Sequence, residues 1–323
     1  MHYVTHKNHF QFGWGDGQYN FDNKSGKYWI AIGKAEYLPT SFRNECVRAA
    51  RLINDNVTQP ILVCFSGGVD SEVIVRSLQE ANVKFEVVIM QLNYNGSKNV
   101  NHHDNKYAFD YVTKHSIPYH VVDFELSDFI KNVFEIAADE YKGDYLGILI
   151  HTEIIKKFPN YHCILGGGDI KLKRHRFCGR QDTPGMFIEE SEISINAIEA
   201  AYHQGHGVSN RFFMHTPELM LAWLTDPDIS HWINYEYALA GKFGVIEFNG
   251  IKAFTLYKHW PDMEPRPKYN GFEKLTLWDK THADHHDPKI LQILNRVTEK
   301  YGKGSEMDIV IDYQQLIEKL LPE

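Results

Sequence analysis

The hexapeptide Ser66-Gly67-Gly68-Val69-Asp70-Ser71 gathers two hydroxyls, two glycines and a carboxylate into one short stretch. Glycines, lacking Cβ atoms, let the backbone come close to an anion and take dihedrals closed to other residues. The N–H groups of such a turn, and of a helix that begins there, present donors and a positive dipole end to phosphate. Ser66 and Ser71 add hydroxyl donors. Asp70 would repel a phosphate directly, so the role that fits it is to hold Mg2+ bridging phosphate oxygens. A second glycine run, Gly166-Gly167-Gly168-Asp169, is followed by Lys171, Lys173, Arg174 and Arg176. A carboxylate at Asp169 can complete a Mg2+ site with Asp70, and the cations can meet pyrophosphate oxygens.

These residues need elements to hold them. Ile61-Leu62-Val63-Cys64-Phe65 is a short, wholly apolar run between Pro60 and the hexapeptide, the pattern of a strand buried on both faces. Residues 70–82 then read as a helix with Val73, Ile74 and Leu78 inward. Strands follow at 85–90, 119–123 and 161–165, with helical patterns at 103–115 and through 126–157. Strands alternating with helices predict βαβ units and a parallel sheet covered on both faces. Both glycine loops then fall at the C-terminal ends of strands, where such sheets bind ligands.

The fold class expected is α/β, a doubly wound, mainly parallel sheet of about five strands. A β-hairpin is expected in the aromatic, turn-punctuated first forty residues, and a helix over 41–55 with Ser41 as its cap. Past residue 185 the pattern turns helical, at 192–202, 217–226, 230–242, 289–301 and 313–321, while Tyr257–Gly271 reads as irregular. Three regions follow: 1–57 as hairpin cap and helix, 58–185 as the α/β core, and 186–323 as a mainly helical, substrate-side region.

Composition narrows the function classes. Among 323 residues, 34 Lys and Arg against 42 Asp and Glu give a net charge of −8, which argues against a broad basic face coating nucleic acid. No apolar run is long enough to span a membrane, and the first residues lack a signal-peptide pattern. Cys46, Cys64, Cys163 and Cys178 have neither CxxC spacing nor a disulfide framework, and read as reduced thiols of a cytoplasmic protein.

The strand–SGGVDS–helix unit resembles the PP-loop ATP pyrophosphatases and is not a GxxxxGK[ST] loop, having no lysine at its end. The resemblance covers residues 58–175 and implies a fold of HUP/PP-loop type, with ATP and Mg2+ as cofactors. It also implies cleavage of ATP between the α and β phosphates, with adenylation of a substrate oxygen. Gln91, Leu92 and Asn93 end the second strand, where superfamily members contact adenine and ribose. Gly166–Asp169 is similar to the Gly-x-Gly-x-Asp loop of asparagine synthetases, one residue shorter. Ile251-Lys252-Ala253-Phe254, followed by Arg266-Pro267-Lys268-Tyr269-Asn270-Gly271-Phe272, resembles the C-terminal stretch of asparagine and β-lactam synthetases. That likeness implies Lys252 as the lysine near the reacting phosphate.

The resemblance thus implies an AMP- and pyrophosphate-forming ligase that activates a carboxylate or amide oxygen for attack by ammonia or an amine. Residue 2 is His and only residues 1–57 precede the core, so no glutaminase domain with an N-terminal cysteine is expected. The alternatives are a lysidine-synthase-type enzyme acting on RNA or a nucleobase, and a non-catalytic nucleotide-binding protein. His102-His103-Asp104 and His282-Ala283-Asp284-His285-His286-Asp287 lack zinc-motif spacing and read as solvated loops. The aromatic residues of 211–235 read as core packing.

Overall fold

A short apolar strand with a helix after it cannot bury both of its faces alone, and the computed structural model shows how the rest of the chain covers them. It describes residues 11–14, 28–141, 146–166, 171–174, 184–188, 205–209, 211–231, 253–266, 287–301 and 309–323. Strands β1 (Gln11–Trp14) and β2 (Tyr28–Ala31) pair antiparallel, the hairpin expected at the start. Helix α1 (Phe42–Asn56) follows, its Ser41 side chain accepting from the Asn44 N–H at 3.2 Å.

The central sheet is built from β3 (Ile61–Cys64), β4 (Phe85–Asn93), β5 (Tyr119–Glu125), β6 (His162–Ile164) and β9 (Gly207–Ser209). All four pairings are parallel, in the order β5-β4-β3-β6-β9. Chain order therefore reverses between β3 and β6, which is a topological switch point. Helices α2 (Val69–Glu80) and α3 (His102–His115) connect the first strands. Helices α4 (Leu126–Asn132), α5 (Phe134–Tyr141) and α6 (Leu146–Lys157) lead back to β6.

Strand alternation splits the core in two. Ile61, Val63, Phe65, Val87 and Ile89 face one cluster, which takes in α1, α2, α3, α7 (Pro217–Leu224) and the fully buried Trp260. Leu62, Val88, Leu92 and Cys163 face the other, packed on α4–α6 and α8 (Pro288–Tyr301). Both layers are apolar to the sheet, which is why β3 reads as a continuous apolar run.

Several expectations need correction. The fifth parallel strand, Gly207–Ser209, lies past residue 185, in the region read as helical. A three-stranded antiparallel sheet, β7 (Lys171–Arg174), β8 (Pro184–Ile188) and β10 (Ile309–Asp312), also went unread. Residues 253–259 are helical, so Tyr257–His259 are not irregular. Burial of Leu256 and Trp260 decides this against the Pro-rich run that follows. The last helix, α9 (Tyr313–Leu320), packs against α7 and stands as expected. Helix 192–202 and most of 230–242 lie outside the described residues.

Candidate functional site

The turn that leaves β3 sets the geometry. Gly67 has φ +84°, the left-handed region that glycine enters without strain. A Cβ built on it would stand 2.0 Å from the backbone oxygen of Asp104 in the first turn of α3. Both the dihedral and the space therefore require glycine. Gly68 is the N-cap of α2, and no side chain caps that helix. Its first-turn N–H groups, which have no intrahelical partner, face the loop mouth. Ser66 Oγ lies 3.1 Å from Ser71 Oγ and accepts from the Gly68 N–H at 3.2 Å. Ser71 Oγ donates to the Gly68 carbonyl at 2.9 Å. The two hydroxyls and the Gly68 amide thus converge.

Asp70 sits in the first turn of α2, half-buried, beside this cluster. Gly166, just after β6, borders the loop: a Cβ on it would meet the Ser71 Cβ at 3.4 Å. The structure therefore brings Ser66, Gly67, Gly68, Val69, Asp70, Ser71 and Gly166 together at the switch point between β3 and β6. Gly167, Gly168, Asp169 and Lys252 lie outside the described residues, and Lys171 and Lys173 fall on β7.

Gln91, Leu92 and Asn93 end β4, the neighbouring strand. An asparagine network saturates that end. The Leu92 N–H donates to Asn101 Oδ1 at 2.9 Å, and the Leu92 carbonyl accepts from the Val100 N–H at 2.7 Å. Asn101 and Asn105 both donate to the Met90 carbonyl at 3.0 Å, and Asn93 Oδ1 accepts from the Asn99 N–H at 2.9 Å. The backbone of Leu92 is thus already engaged on both sides.

His102-His103-Asp104, read as a solvated loop, instead forms the N-terminal turn of α3 against the Gly67 loop. Burial pushes the Asp104 carboxyl above its ordinary value, and the charge of Arg266 opposes the shift.

Three further side chains that the sequence reading did not single out tie a distant segment to the loop. Glu72, Arg76 and Glu80 recur every four residues along one face of α2. Glu72 pairs with Arg76 at 2.7 Å and with Arg266. Arg76 reaches Asp262 at 2.8 Å, and this bond holds the Asp262 carboxyl below its ordinary range. Glu80 accepts from Trp260 Nε1 at 2.8 Å and from Arg43 Nε at 2.9 Å. Residues 260–266 therefore run antiparallel to α2 and end at the loop. There the Arg266 guanidinium donates to the Gly67 carbonyl and lies 4.5 Å from the Tyr107 ring centroid. The four-residue spacing of Glu72, Arg76 and Glu80 was the signal available in the sequence.

The turn suits an anionic, phosphate-like group on its own geometry. A glycine turn packed against α3, a helix start with no side-chain cap and two hydroxyls suit phosphate oxygens. Asp70 offers one hard anionic oxygen of the kind a divalent cation takes. Among the described residues no group of three or more His, Cys, Asp or Glu could hold a metal by itself.

Residues 59–145 match the family model described as tRNA methyl transferase HUP domain, about a quarter of the chain. No curated protein matches the sequence. Solved structures that overlay on it include the predicted subunit of a tRNA methyltransferase from Methanocaldococcus jannaschii. That pair is 14% identical, covers 47% of this chain and 67% of the other, and has a TM-score of 0.28. The NH3-dependent NAD synthetase of Campylobacter jejuni is 10% identical over 84% of this chain and 98% of its own, TM-score 0.32. The U34-tRNA thiolase NcsA of Methanococcus maripaludis is 15% identical over 87% and 82%, TM-score 0.32. Overlaps this loose add nothing to the strand order. The family match and that order agree on a doubly wound α/β fold of HUP type.

Proposed function

We propose that the protein is an ATP-dependent ligase that forms AMP and pyrophosphate, adenylating a carboxylate or amide oxygen for attack by ammonia or an amine. The observation that carries this reading is the Ser66–Ser71 loop at the switch point, with a Gly67 that admits no Cβ and an uncapped α2. The loop amides and the hydroxyls of Ser66 and Ser71 hold the phosphates of ATP and leave the α-phosphorus open to the acceptor oxygen. That oxygen forms the new bond to phosphorus as the bond to the β-phosphate oxygen breaks and pyrophosphate departs. The amine then displaces AMP and gives up a proton. Asp70, with Asp169, would hold Mg2+, which neutralises charge developing on the departing pyrophosphate. Lys171 and Lys173 complete the pyrophosphate site in this reading. Lys252, as in asparagine and β-lactam synthetases, supports the charge that builds on the α-phosphate.

The test is product analysis with ATP–Mg2+ and pooled carboxylic acids plus ammonium or amines. AMP and pyrophosphate in equal amounts are expected; ADP and inorganic phosphate would overturn the reading. The matching family model is that of a tRNA methyl transferase HUP domain, which favours a second reading in which the activated group belongs to RNA. Pyrophosphate release stimulated by deproteinised tRNA, and not by the acid pool, would select it. A nucleotide-binding protein without turnover would bind ATP and release nothing in either assay.

A further inference from the structure

Arg266 reaches the nucleotide loop from 199 residues away, and what it holds there is a backbone oxygen. Its side chain is 4% exposed, with Nη1 donating to the Gly67 carbonyl, Nη2 to Glu72 and Nε to the Glu264 carbonyl at 3.3 Å. Its backbone N–H donates to the Tyr257 hydroxyl at 3.1 Å, and its guanidinium lies over Tyr107. Each guanidinium nitrogen already donates within the protein, so the group is held as an anchor of the loop backbone.

The Gly67–Gly68 peptide is trans, so its carbonyl and its N–H point in opposite directions. The carbonyl faces Arg266, and the N–H therefore faces Ser66 Oγ and the mouth where the two serine hydroxyls converge. A glycine on each side of this peptide leaves little torsional resistance to a flip. Flipped, it would turn a carbonyl oxygen toward the bound phosphate in place of a donor. Resting on the nucleotide-binding reading above, we propose that Arg266 is a positioning residue that locks the Gly67–Gly68 peptide with its N–H toward the anion. Glu72 and Tyr107 hold the guanidinium in place for this task.

The lock acts on phosphate and not on the base. Pyrophosphate and adenosine are therefore the probes, measured by calorimetry or NMR titration on the full chain with Mg2+. Arg266→Met should weaken pyrophosphate binding about 10–100-fold, the scale of one hydrogen bond to a charged group, and leave adenosine within about twofold. Arg266→Lys, which keeps one donor for the carbonyl, should recover part of the loss; it carries the test alone should the Met variant not fold, a loss confined to pyrophosphate still being expected. Glu72→Gln, which loosens the guanidinium without removing it, should weaken pyrophosphate binding by less than Arg266→Met does and leave adenosine within about twofold. Undiminished pyrophosphate binding in the Arg266 variants, or equal losses for both probes, overturns the proposal. Failure of the wild-type chain to bind pyrophosphate or ATP would instead overturn the nucleotide-binding reading beneath it.

Discussion

Gly67 and Asp70 stand three residues apart and constrain the site in different ways. Gly67 is fixed by geometry, because a methyl group there would enter the Asp104 peptide at 2.0 Å with φ already at +84°. Gly67→Ala should cost more than the ~1 kcal/mol of an ordinary glycine replacement, displace α3 from the loop and abolish nucleotide binding. A melting curve and an ATP titration check both parts. In the proposed reaction Asp70 matters for its charge, and Asp70→Asn keeps its shape while removing that charge. Turnover to pyrophosphate should fall at least ~100-fold with the melting temperature held within a few degrees, and excess Mg2+ should not restore it. Undiminished pyrophosphate release from Asp70→Asn would remove this carboxylate from the mechanism.

At the scale of elements, α2 works with both of its faces. Val73, Ile74 and Leu78 bury one side into the core, while Glu72, Arg76 and Glu80 anchor residues 260–266 on the other. Trp260 is the apolar anchor of that strap, fully buried, with its Nε1 on Glu80 and its ring against Phe42. Trp260→Ala should cost about 3–5 kcal/mol, seen as a lower denaturation midpoint. ATP affinity should fall with it, because the strap ends in Arg266. The same elements show what a sequence can and cannot disclose. Ile61–Phe65 and the hexapeptide were legible because a buried parallel strand must be apolar throughout and a phosphate turn must contain glycine. Gly207–Ser209 was not, since three residues carry no period, and their place depends on Gly207 lying with no Cβ against His162. The Lys171–Arg174 strand reads as a charged loop because its pairing partner, Pro184–Ile188, pairs in turn with Ile309–Asp312 near the other end of the chain. Arg266 was visible as a residue, but its destination on the Gly67 carbonyl is tertiary and leaves no local mark.

The whole molecule closes around the sheet by joining segments distant in sequence, and one of those joints titrates. Glu45 on α1 is 4% exposed, accepts from the Tyr37 hydroxyl at 2.6 Å and feels the Glu218 charge of α7. Burial raises its carboxyl above the ordinary 4.5, with the Tyr37 hydrogen bond and Arg48 opposing. A raised folded-state value means the native protein binds more protons than the unfolded chain. Its stabilising contribution is complete below pH 4.5 and is lost as pH rises through the raised value. Glu45→Gln lacks this dependence. The melting temperature of the variant minus that of the wild type should therefore climb between pH 4 and pH 7; a flat or falling difference would mean Glu45 does not titrate above its ordinary value.

The central strand also imposes an order in time. Ile61 pairs with Phe85 on one side and with His162 on the other, so the β3–β4–β5 half can assemble from neighbouring sequence while β6 and β9 must wait. Long-range pairings come late because the loop they close must first be gathered. On a ribosome the same order is imposed by synthesis, which proceeds from the N-terminus. The Ser66–Ser71 turn thus exists well before residue 266 emerges, and its carbonyl lock can close only afterwards. A nascent or truncated chain ending short of Arg266 would carry the loop sequence with its Gly67–Gly68 peptide free to rotate. In the nucleotide-binding reading, the loop's competence then waits on a residue made 199 positions after it.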